Sequence, residues 1–529
     1  MRARPLIVFV ALASIALAAV PAPAAALDPP NPVPDVVAGF AIAPFAPIGV
    51  PTALAWGPGM PGPDLYATTL AGDVERVTVL WTEAGPVALG VARHASGFSQ
   101  PLGLAWVDGA LFVADSHANP ATGRTDGRIW RLDGNERKVV VDGLPNGRHN
   151  TNHLRLGPDG LLYVANGNPN DNGIQGGAAD VFPYSGAVLR FDPAAVAATP
   201  AILRWTDGAG ARIPASEIAS HPVNAPFAAL VEAYAWGFRN HFGVAFGPDG
   251  SLYTANNGAD SPSSQDALYR VTGAGTNFAF PFCFDVGEPG AVGAGISKET
   301  NPLFAGHDCS TAPRATALLG WHVCATGLDL PTPGPAAFAG AYGRSVYVGE
   351  CGPFFPEPHR KGFSTHDVGH KVVRVELGPD GEAVGVSDFV TGLGLPTDVL
   401  FGPDGAMYVA DGAGVLRVAP VVEAPEEAEV LVEAAGFSFV SPVLAVPAGT
   451  TVTWEGRLLP HTVTTSDTME DALDGVANDP ANADGDADTF HEGLAQGARV
   501  SRTFATPGTY PYFCELHYRF GMVGAIVVV

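Results

Sequence analysis

Three copies of one phrase decide the fold of this chain: "LRLGPDGLLYVANG" at Leu154–Gly167, "VAFGPDGSLYTANNG" at Val244–Gly258 and "VLFGPDGAMYVADG" at Val399–Gly412. In each copy an alternating apolar run precedes Gly-Pro-Asp-Gly, and a second such run follows it. Proline presets φ for a turn and glycine tolerates positive φ, while alternation of apolar and polar residues is typical of a half-buried strand. Each phrase therefore predicts a β-hairpin.

Further copies extend this pattern over the first 420 residues. Looser hairpins occur at 54–69 and 103–116, and "SVYVGE" at Ser345–Glu350 takes the same place in another unit. Several hairpins are followed by a strand that carries an arginine, as in "RIWRLD", "AVLRFD", "ALYRVT", "KVVRVE" and "GVLRVA". Six units between about Val50 and Pro420 predict a six-bladed β-propeller, with a sandwich or a pair of barrels as the competing interpretation.

Length and composition favour a folded protein with more than one domain. The chain has 529 residues, more than one core usually serves, so two or three domains are expected. It contains 65 Gly, 48 Pro and only 15% charged residues, which is typical of a turn-rich, all-β protein. The net charge of −25 argues against nucleic acid as a partner, because phosphate binding needs a clustered basic surface.

The N-terminus has the pattern of a cleaved export signal. Two arginines precede an apolar run from Leu6 to Val20, and small residues end at Ala26. Residues 1–26 are therefore predicted to be a signal peptide. A membrane anchor is the alternative, although the run is short for a span of about 20 residues. We expect a secreted or periplasmic protein with no membrane span after cleavage.

The five cysteines divide into four in the front region and Cys514 near the C-terminus. Export places them in an oxidising compartment, where cysteines tend to pair. Of the three connectivities open to the four, pairing of sequence neighbours is favoured, that is, Cys283 with Cys309 and Cys324 with Cys351. Cys514 is left without a disulfide partner.

Three polar clusters interrupt the hairpin rhythm at places where the loops of a propeller would face its central channel. A histidine can accept a proton near neutral pH, and an arginine can stabilise developing negative charge. Each cluster also has a structural interpretation, since histidines can be satisfied within loops and an arginine can join neighbouring blades. The clusters comprise His149, Asn150 and His153; Arg239, Asn240 and His241; and Asn257, Gly258, Ala259 and Asp260.

With these clusters, the region from Ala53 to Ala419 resembles the soluble pyrroloquinoline-quinone-dependent glucose and sorbosone dehydrogenases, a family of six-bladed propellers. The strongest stretches are "HNTNHLRLGPDGLLYV", "GFRNHFGVAFGPDGSLYTANNG" and "GLPTDVLFGPDGAMYVAD". The resemblance implies a general base, contacts to the quinone, and a calcium ion held by backbone carbonyls. The positions implied are His149 for the base, Arg239, Asn240 and, across an alignment gap, Gln100 for the quinone, and Gly258 and Ala259 for calcium.

One departure from this family bears on cofactor binding. Glucose-type members hold the carboxylates of the cofactor partly with arginines just before the last hairpin, where this chain has "GLGLPTDVLF" with Leu395 and Thr397. In this stretch the chain is more similar to the sorbosone-type branch. Loss of quinone binding is therefore an alternative. The basic residues that could act as substitutes are Arg314, Arg360, Lys361 and Lys371.

A second domain is predicted at 431–529, after a Pro-, Ala- and Glu-rich linker at 421–430. Its long alternating strands and its length suit a Greek-key β-sandwich. A cysteine, a histidine and a methionine have the spacing C-x2-H-x4-M, and a further histidine lies upstream. One thiolate, two imidazoles and a weak thioether are the donors of a type 1 copper site. The predicted ligands are His461, Cys514, His517 and Met522.

This tail resembles the plastocyanin and pseudoazurin branch of the cupredoxins through "PAGTTVTW", "PGTYPYFC" and "GMVGAIVV". The alternative, a buried free cysteine beside a core methionine, explains neither histidine. A binuclear copper site would need a second cysteine, and structural zinc rarely binds methionine. An acidic insertion around Asp484, Asp486 and Asp488 is interpreted as a solvated loop, with calcium binding or docking of a basic redox partner as alternatives.

Together these features predict an oxidoreductase with two redox sites. The propeller, residues 40–420, would oxidise a sugar, polyol or aldehyde with pyrroloquinoline quinone and calcium, and the copper domain would pass the electrons to an external redox partner. A copper electron-transfer protein with a non-catalytic propeller scaffold is the alternative. A propeller lactonase is disfavoured, because no ring of acidic or asparagine ligands is identifiable in the sequence.

Overall fold

The computed structural model describes residues 34–528 apart from short gaps, and the described part consists mainly of β-strands. The predicted signal peptide, Asp260, residues 422–429 of the linker, Arg360, Lys361 and the three aspartates of the acidic insertion lie outside the described residues. The gaps are 60–61, 83–84, 120–123, 135, 176–177, 180–181, 260–263, 353–367, 422–429, 436–437, 440–442, 447–448, 458, 467–471, 473–490, 505–507 and 521.

Within the described part of 35–420, six sheets of four or five strands follow one another along the chain, and their pairing is mainly antiparallel. We number them in the order of their first strands. Sheet 1 contains Pro51–Gly57, Asp64–Thr69, Asp73–Thr82 and Gly85–Ser96; sheet 2 contains Pro101–Val107, Ala110–Asn119, Arg124–Asp133, Glu136–Pro145 and Ala201–Ile202; sheet 3 contains Thr151–Leu156, Leu162–Asn166, Ala187–Phe191, Val231–Trp236 and Thr276–Asn277; sheet 4 contains Asn240–Phe246, Leu252–Asn257, Asp266–Val271 and Ala317–Gly320; sheet 5 contains Ala325–Asp329, Ser345–Glu350, Lys371–Leu377, Ala383–Thr391 and Asp35–Val36; sheet 6 contains Asp398–Phe401, Met407–Asp411, Gly414–Pro420 and Phe40–Ala46.

Short elements lie between these sheets. Two strand pairs, Ile174–Gln175 with Ala178–Ala179 and Cys283–Val286 with Ser297–Thr300, are separate from them. The helices described are Pro193–Ala198 and Ala225–Ala228, with 3-10 turns at Ala215–Glu217, Pro222–Asn224, Gly293–Gly295, Pro302–Phe304, Tyr342–Arg344 and Tyr518–Phe520.

The first strand of each sheet contacts the first strand of the next, and the first strand of sheet 6 contacts that of sheet 1. Glycine permits this close approach: a Cβ on Gly103 of sheet 2 would lie 2.5 Å from the Asn152 carbonyl oxygen of sheet 3. Between sheets 6 and 1, the Leu54 N–H donates to Asp398 Oδ2 over 2.7 Å. Each of the six first strands therefore has two other first strands as neighbours.

The repeated turn and the repeated arginine belong to one structural unit. In the hairpin at 154–166, the Gly157 N–H donates to the Leu161 carbonyl over 2.8 Å, and Gly160 takes a positive φ of 79°. The aspartate of the turn then forms an ion pair with the arginine of the following strand. Such pairs join Asp159 to Arg190, Asp249 to Arg270, and Asp404 to Arg417.

The disulfides are the predicted sequence neighbours. Cys283 is bonded to Cys309 and Cys324 to Cys351, which confirms the favoured connectivity. Cys514 is buried and has no disulfide. Across the residues that the structure describes, none of the helices has the length and apolarity that a membrane span requires.

The C-terminal domain is a sandwich of two sheets. Its core contains Trp454, Phe439, Phe504 and Tyr512, all almost fully buried between the sheets. The first sheet contains Ser438–Phe439, Val430–Ala435, Thr450–Gly456 and Arg499–Phe504; the second contains Val443–Val446, Val523–Val528, Gly508–Phe513, His461–Thr465 and His491–Leu494.

Candidate functional site

The structure brings three of the four predicted copper ligands together at one end of the sandwich. His461 begins the strand His461–Thr465, and Cys514 follows the strand Gly508–Phe513. The Cys514 Sγ lies 3.4 Å from His517 Nδ1 and 3.9 Å from His461 Nδ1, and the two Nδ1 atoms are 3.2 Å apart. One thiol and two imidazole nitrogens therefore face a common point.

Backbone contacts hold the cysteine in this position. The Cys514 N–H donates to the Met522 carbonyl over 3.0 Å, and the His517 N–H donates to the Cys514 carbonyl over 2.9 Å. The Thr462 N–H points at Cys514 Sγ over 3.4 Å. Met522 is fully buried in the same apolar cluster as Cys514.

The protonation of the two histidines suits a metal ligand, because a ligating imidazole must be neutral. Burial, followed by the charge of His517, lowers the pKa of His461, and burial lowers the pKa of His517. Sulfur and imidazole nitrogen together are donors that copper prefers, and a neighbouring methionine adds the weak thioether. The residues present therefore fit a type 1 copper ion.

In the front region, His149 and Asn240 both lie close to Gly167. A Cβ on Gly167 would lie 2.5 Å from the His149 Cβ and 2.9 Å from Asn240 Oδ1. His149 is 1% exposed, and its Nδ1 lies 2.5 Å from the Asn168 carbonyl oxygen. A carbonyl can only accept, so Nδ1 carries the hydrogen and the lone pair of the neutral ring is on Nε2.

Arg239 lies against the same loop. Its backbone carbonyl accepts from the Asn168 N–H over 2.7 Å, and its Nε donates to the Asp171 carbonyl over 2.7 Å. Its Nη2 forms a hydrogen bond and an ion pair with Asp171 Oδ1. The guanidinium is almost completely buried, so a second charge in this place interacts strongly with it. The structure thus brings His149, Arg239 and Asn240 together around residues 167–171.

Gln100 directly precedes the first strand of sheet 2, as His149 and Arg239 precede those of sheets 3 and 4. Its N–H donates to Asp115 Oδ1 over 2.7 Å. Its side-chain Oε1 is buried, and among the described residues no hydrogen-bond donor reaches it. Gln100 therefore lies at the start of the first strand of its sheet, as His149 and Arg239 lie at the starts of theirs.

The two predicted calcium carbonyls belong to a buried loop after the second strand of sheet 4. The Gly258 N–H donates to Asp266 Oδ1 and the Ala259 N–H to the Ser264 hydroxyl, each over 2.8 Å. Burial raises the pKa of Asp266, while His322 and two backbone N–H groups lower it. A cation beside these carbonyls would have an acidic side chain close by.

Asp411, at the end of the strand Met407–Asp411, lies against the backbone just before the last hairpin. The backbone N–H groups of Gly394 and Leu395 donate to the Asp411 carboxylate. The Thr397 hydroxyl donates to the Pro51 carbonyl over 2.6 Å. Lys371, one of the suggested substitutes, is paired with Asp388 over 2.6 Å.

Two histidines of the predicted clusters are core residues. His153 Nδ1 lies 3.5 Å from Asp398 Oδ1, and its ring packs on Phe242 with centroids 4.9 Å apart. His241 is fully buried and packs on Phe238. Burial lowers the pKa of each histidine to about 3, so both are neutral. The structural interpretation holds for these two residues.

Sequence reasoning missed Asn168, Asp171 and Arg148. Arg148 Nη1 lies 3.6 Å from Asp171 Oδ2, and the Arg148 N–H donates to the Pro169 carbonyl over 2.7 Å. The available signal was the polar run "NGNPNDNG" at 166–173, directly after one of the repeated hairpins. Such a run is where a propeller would place a binding loop.

Fold and donor set together define an all-β front region joined to a cupredoxin domain. Residues 426–529 match the model of the copper binding proteins of the plastocyanin/azurin family. The front region shares its fold with two fungal proteins. One is a carbohydrate-active enzyme of family AA12 from Trichoderma reesei, with 16% identity, a TM-score of 0.54, and coverage of 74% of this chain and 99% of that one. The other is the pyrroloquinoline-quinone domain of a pyranose dehydrogenase from Coprinopsis cinerea, with 15% identity, a TM-score of 0.51, and coverage of 74% and 98%. Both predicted resemblances are confirmed.

Proposed function

We propose that this chain is an exported quinoprotein dehydrogenase that oxidises a sugar, polyol or aldehyde and passes the electrons to its own copper domain. Its parts would be a signal peptide at 1–26, a closed six-bladed propeller at 40–420, a linker at 421–430 and a type 1 copper domain at 431–529. The observation that carries this proposal is the convergence of His149, Arg239 and Asn240 around one loop.

Bound pyrroloquinoline quinone would supply the two-electron oxidation, with calcium as a Lewis acid beside it. Arg239 and Asn240, with Gln100 at a neighbouring strand end, would bind the quinone, and the carbonyls of Gly258 and Ala259 would hold calcium. His149 would accept the hydroxyl proton of the substrate at Nε2, because its Nδ1–H is held by the Asn168 carbonyl.

In the copper domain, His461, Cys514, His517 and Met522 would hold the ion that receives electrons one at a time. Soft sulfur donors with two imidazoles suit cycling between the two oxidation states of copper. Joining acceptor and dehydrogenase in one chain keeps the acceptor at a high local concentration. An external redox partner would then reoxidise the copper.

Reconstitution tests this function. Pyrroloquinoline quinone and calcium are added to the copper-loaded protein, sugars and polyols are screened, and the blue absorption is followed. We expect a substrate to bleach the blue band, and H149Q to lose bleaching while it keeps both the colour and the bound quinone. If the quinone binds and no substrate bleaches copper, or if H149Q turns over as the wild type does, the corresponding part of the proposal is wrong.

A second function is favoured by the last hairpin. Where the resemblance implies arginines for the cofactor carboxylates, this chain has Leu395 and Thr397, and the Asp411 carboxylate lies against the backbone of Gly394 and Leu395, where an acidic group opposes an anionic ligand. A copper electron-transfer protein with a non-catalytic propeller would show a blue band and no quinone binding in the same titration.

A further inference from the structure

Asp171 is the acidic side chain that touches the arginine of the candidate quinone site. Its backbone carbonyl and its Oδ1 both accept hydrogen bonds from the Arg239 guanidinium. Its second carboxylate oxygen, Oδ2, lies 3.6 Å from Arg148 Nη1. One carboxylate therefore bridges two arginines that flank His149 and Asn240 in sequence.

The loop that carries Asp171 is fixed to both His149 and Arg239. The Asn168 carbonyl accepts from His149, and the Asn168 N–H donates to the Arg239 carbonyl. The Asn170 N–H donates to Asn168 Oδ1 over 2.9 Å, which shapes the turn before Asp171. Backbone contacts thus fix the chain just before Asp171, and the aspartate side chain is only 19% exposed.

We propose that Asp171 is the internal counter-ion of the site and sets how tightly it binds an anionic ligand. This inference rests on the proposed function. Pyrroloquinoline quinone carries three carboxylates, so Asp171 shares with it the positive charge of Arg239 and Arg148. Charges in this poorly hydrated place are weakly screened. A site without Asp171 would therefore attract the quinone more strongly, and the attraction would depend more steeply on salt.

The test is a titration of the full-length, copper-loaded protein with pyrroloquinoline quinone in the presence of calcium and without substrate. In D171N the amide oxygen still accepts from Arg239 while the negative charge is gone, and we expect about tenfold tighter binding with a steeper salt dependence. D171E keeps the charge and should bind close to the wild-type value. D159N is the matched control, because it also removes an aspartate from an arginine pair, but at the opposite end of the same hairpin.

A second variant removes a positive charge from the site in place of a negative one. Arg148 has a side chain 45% exposed, so R148Q is compatible with folding, and we expect it to weaken quinone binding by several-fold. The thermal unfolding midpoint and the blue band check that each variant is folded. This variant keeps the inference testable if D171N does not fold.

The outcomes separate the inference from the function on which it rests. Tighter binding in D171N and weaker binding in R148Q support the role of Asp171. If the wild type binds and D171N binds equally or more weakly, Asp171 is not the counter-ion, while the dehydrogenase proposal stands. If D171N alone binds, the counter-ion role is supported and quinone binding by the native chain is refuted; if neither binds, both ideas are overturned.

Discussion

Replacing Gly167 with alanine would place one methyl group between the two halves of the candidate quinone site. The added Cβ would lie 2.5 Å from the His149 Cβ and 2.9 Å from Asn240 Oδ1, whereas ordinary contacts are 3.4–4 Å. Gly167 is not among the residues with positive φ, so alanine strains the site through contacts and not through its own backbone. The His149 Cβ is attached directly to the backbone, so it cannot swing aside, and the loop or His149 must move by about 1 Å.

A shift of this size has a calculable effect on function. A displacement of about 1 Å at a reacting centre can lower turnover by about 100-fold, and overpacking lowers the free energy of unfolding by about 1–3 kcal/mol. We therefore expect G167A to lose about two orders of magnitude in dye-linked turnover after loading with quinone and calcium. The blue band of the copper domain should be unchanged.

The control for this experiment is G90A. Gly90 lies in the strand Gly85–Ser96, its φ is not positive, and among the described residues other than its chain neighbours no heavy atom lies within 4 Å of the Cβ that alanine would add. Its turnover and unfolding midpoint should equal those of the wild type. If G167A unfolds at a lower temperature yet turns over like G90A, then His149 and Asn240 do not flank the reacting centre.

Two further changes test other parts of the chain. C514S replaces the soft thiolate with a hard oxygen donor, so we expect it to lose the blue band and the reduction of an external acceptor through copper. Dye-linked turnover of the propeller should remain. A retained blue band would show that Cys514 is not a ligand. Burial, opposed by Lys371 and reinforced by Asp266, raises the pKa of Glu350 to about 8. The folded chain then keeps a proton that the unfolded chain releases above its usual pKa of 4.5, so stability falls as pH rises from about 4.5 to about 8. The glutamine of E350Q cannot titrate, so its unfolding midpoint should fall less over this window than that of the wild type. The difference in the free energy of unfolding is up to about 1.4 kcal/mol per pH unit. Equal slopes of stability against pH for the two proteins would refute this.

The hairpins could be predicted from sequence because their cause is local. Gly-Pro-Asp-Gly fixes the turn with residues that are neighbours in the chain, and the three copies fold alike. The recurring arginine was visible in the sequence, but the sequence did not explain why it recurs. The structure supplies the reason, since Arg190, Arg270 and Arg417 each pair with the aspartate of the preceding turn.

The grouping of the proposed copper ligands was predictable for a related reason. Cys514, His517 and Met522 lie in one loop, so their spacing alone limits the geometry they can adopt, and only His461 comes from another strand. The unusual combination of residue types also has few structural explanations. To predict this cluster from sequence, only one long-range contact, that of His461 with the loop, had to be guessed correctly.

The candidate quinone site depends on contacts that sequence pattern does not encode. Asp171 and Arg239 are 68 residues apart, and Asn152 reaches Asn240 across 88. The loop at 166–173 has neither the alternation of a strand nor the periodicity of a helix, so nothing in it indicates which side chain turns inward. His153 and His241 show that sequence can also suggest site residues wrongly. Both lie in motifs that resemble a site, and yet both side chains are buried in the core.

The ion pairs of Asp171 with Arg239 and Arg148 matter more for anion binding because the last hairpin is acidic. At the last hairpin the Asp411 carboxylate accepts from the Leu395 N–H, and residues 394–411 contain no lysine or arginine. The positive charge described next to His149 is then that of Arg239 and Arg148, on the side of sheets 3 and 4. An anionic ligand would be attracted on that side and repelled by Asp411. When so few positive charges hold a ligand, one carboxylate placed between two of them changes the affinity by a large fraction, which is why the charge of Asp171 is the sharpest test of this site.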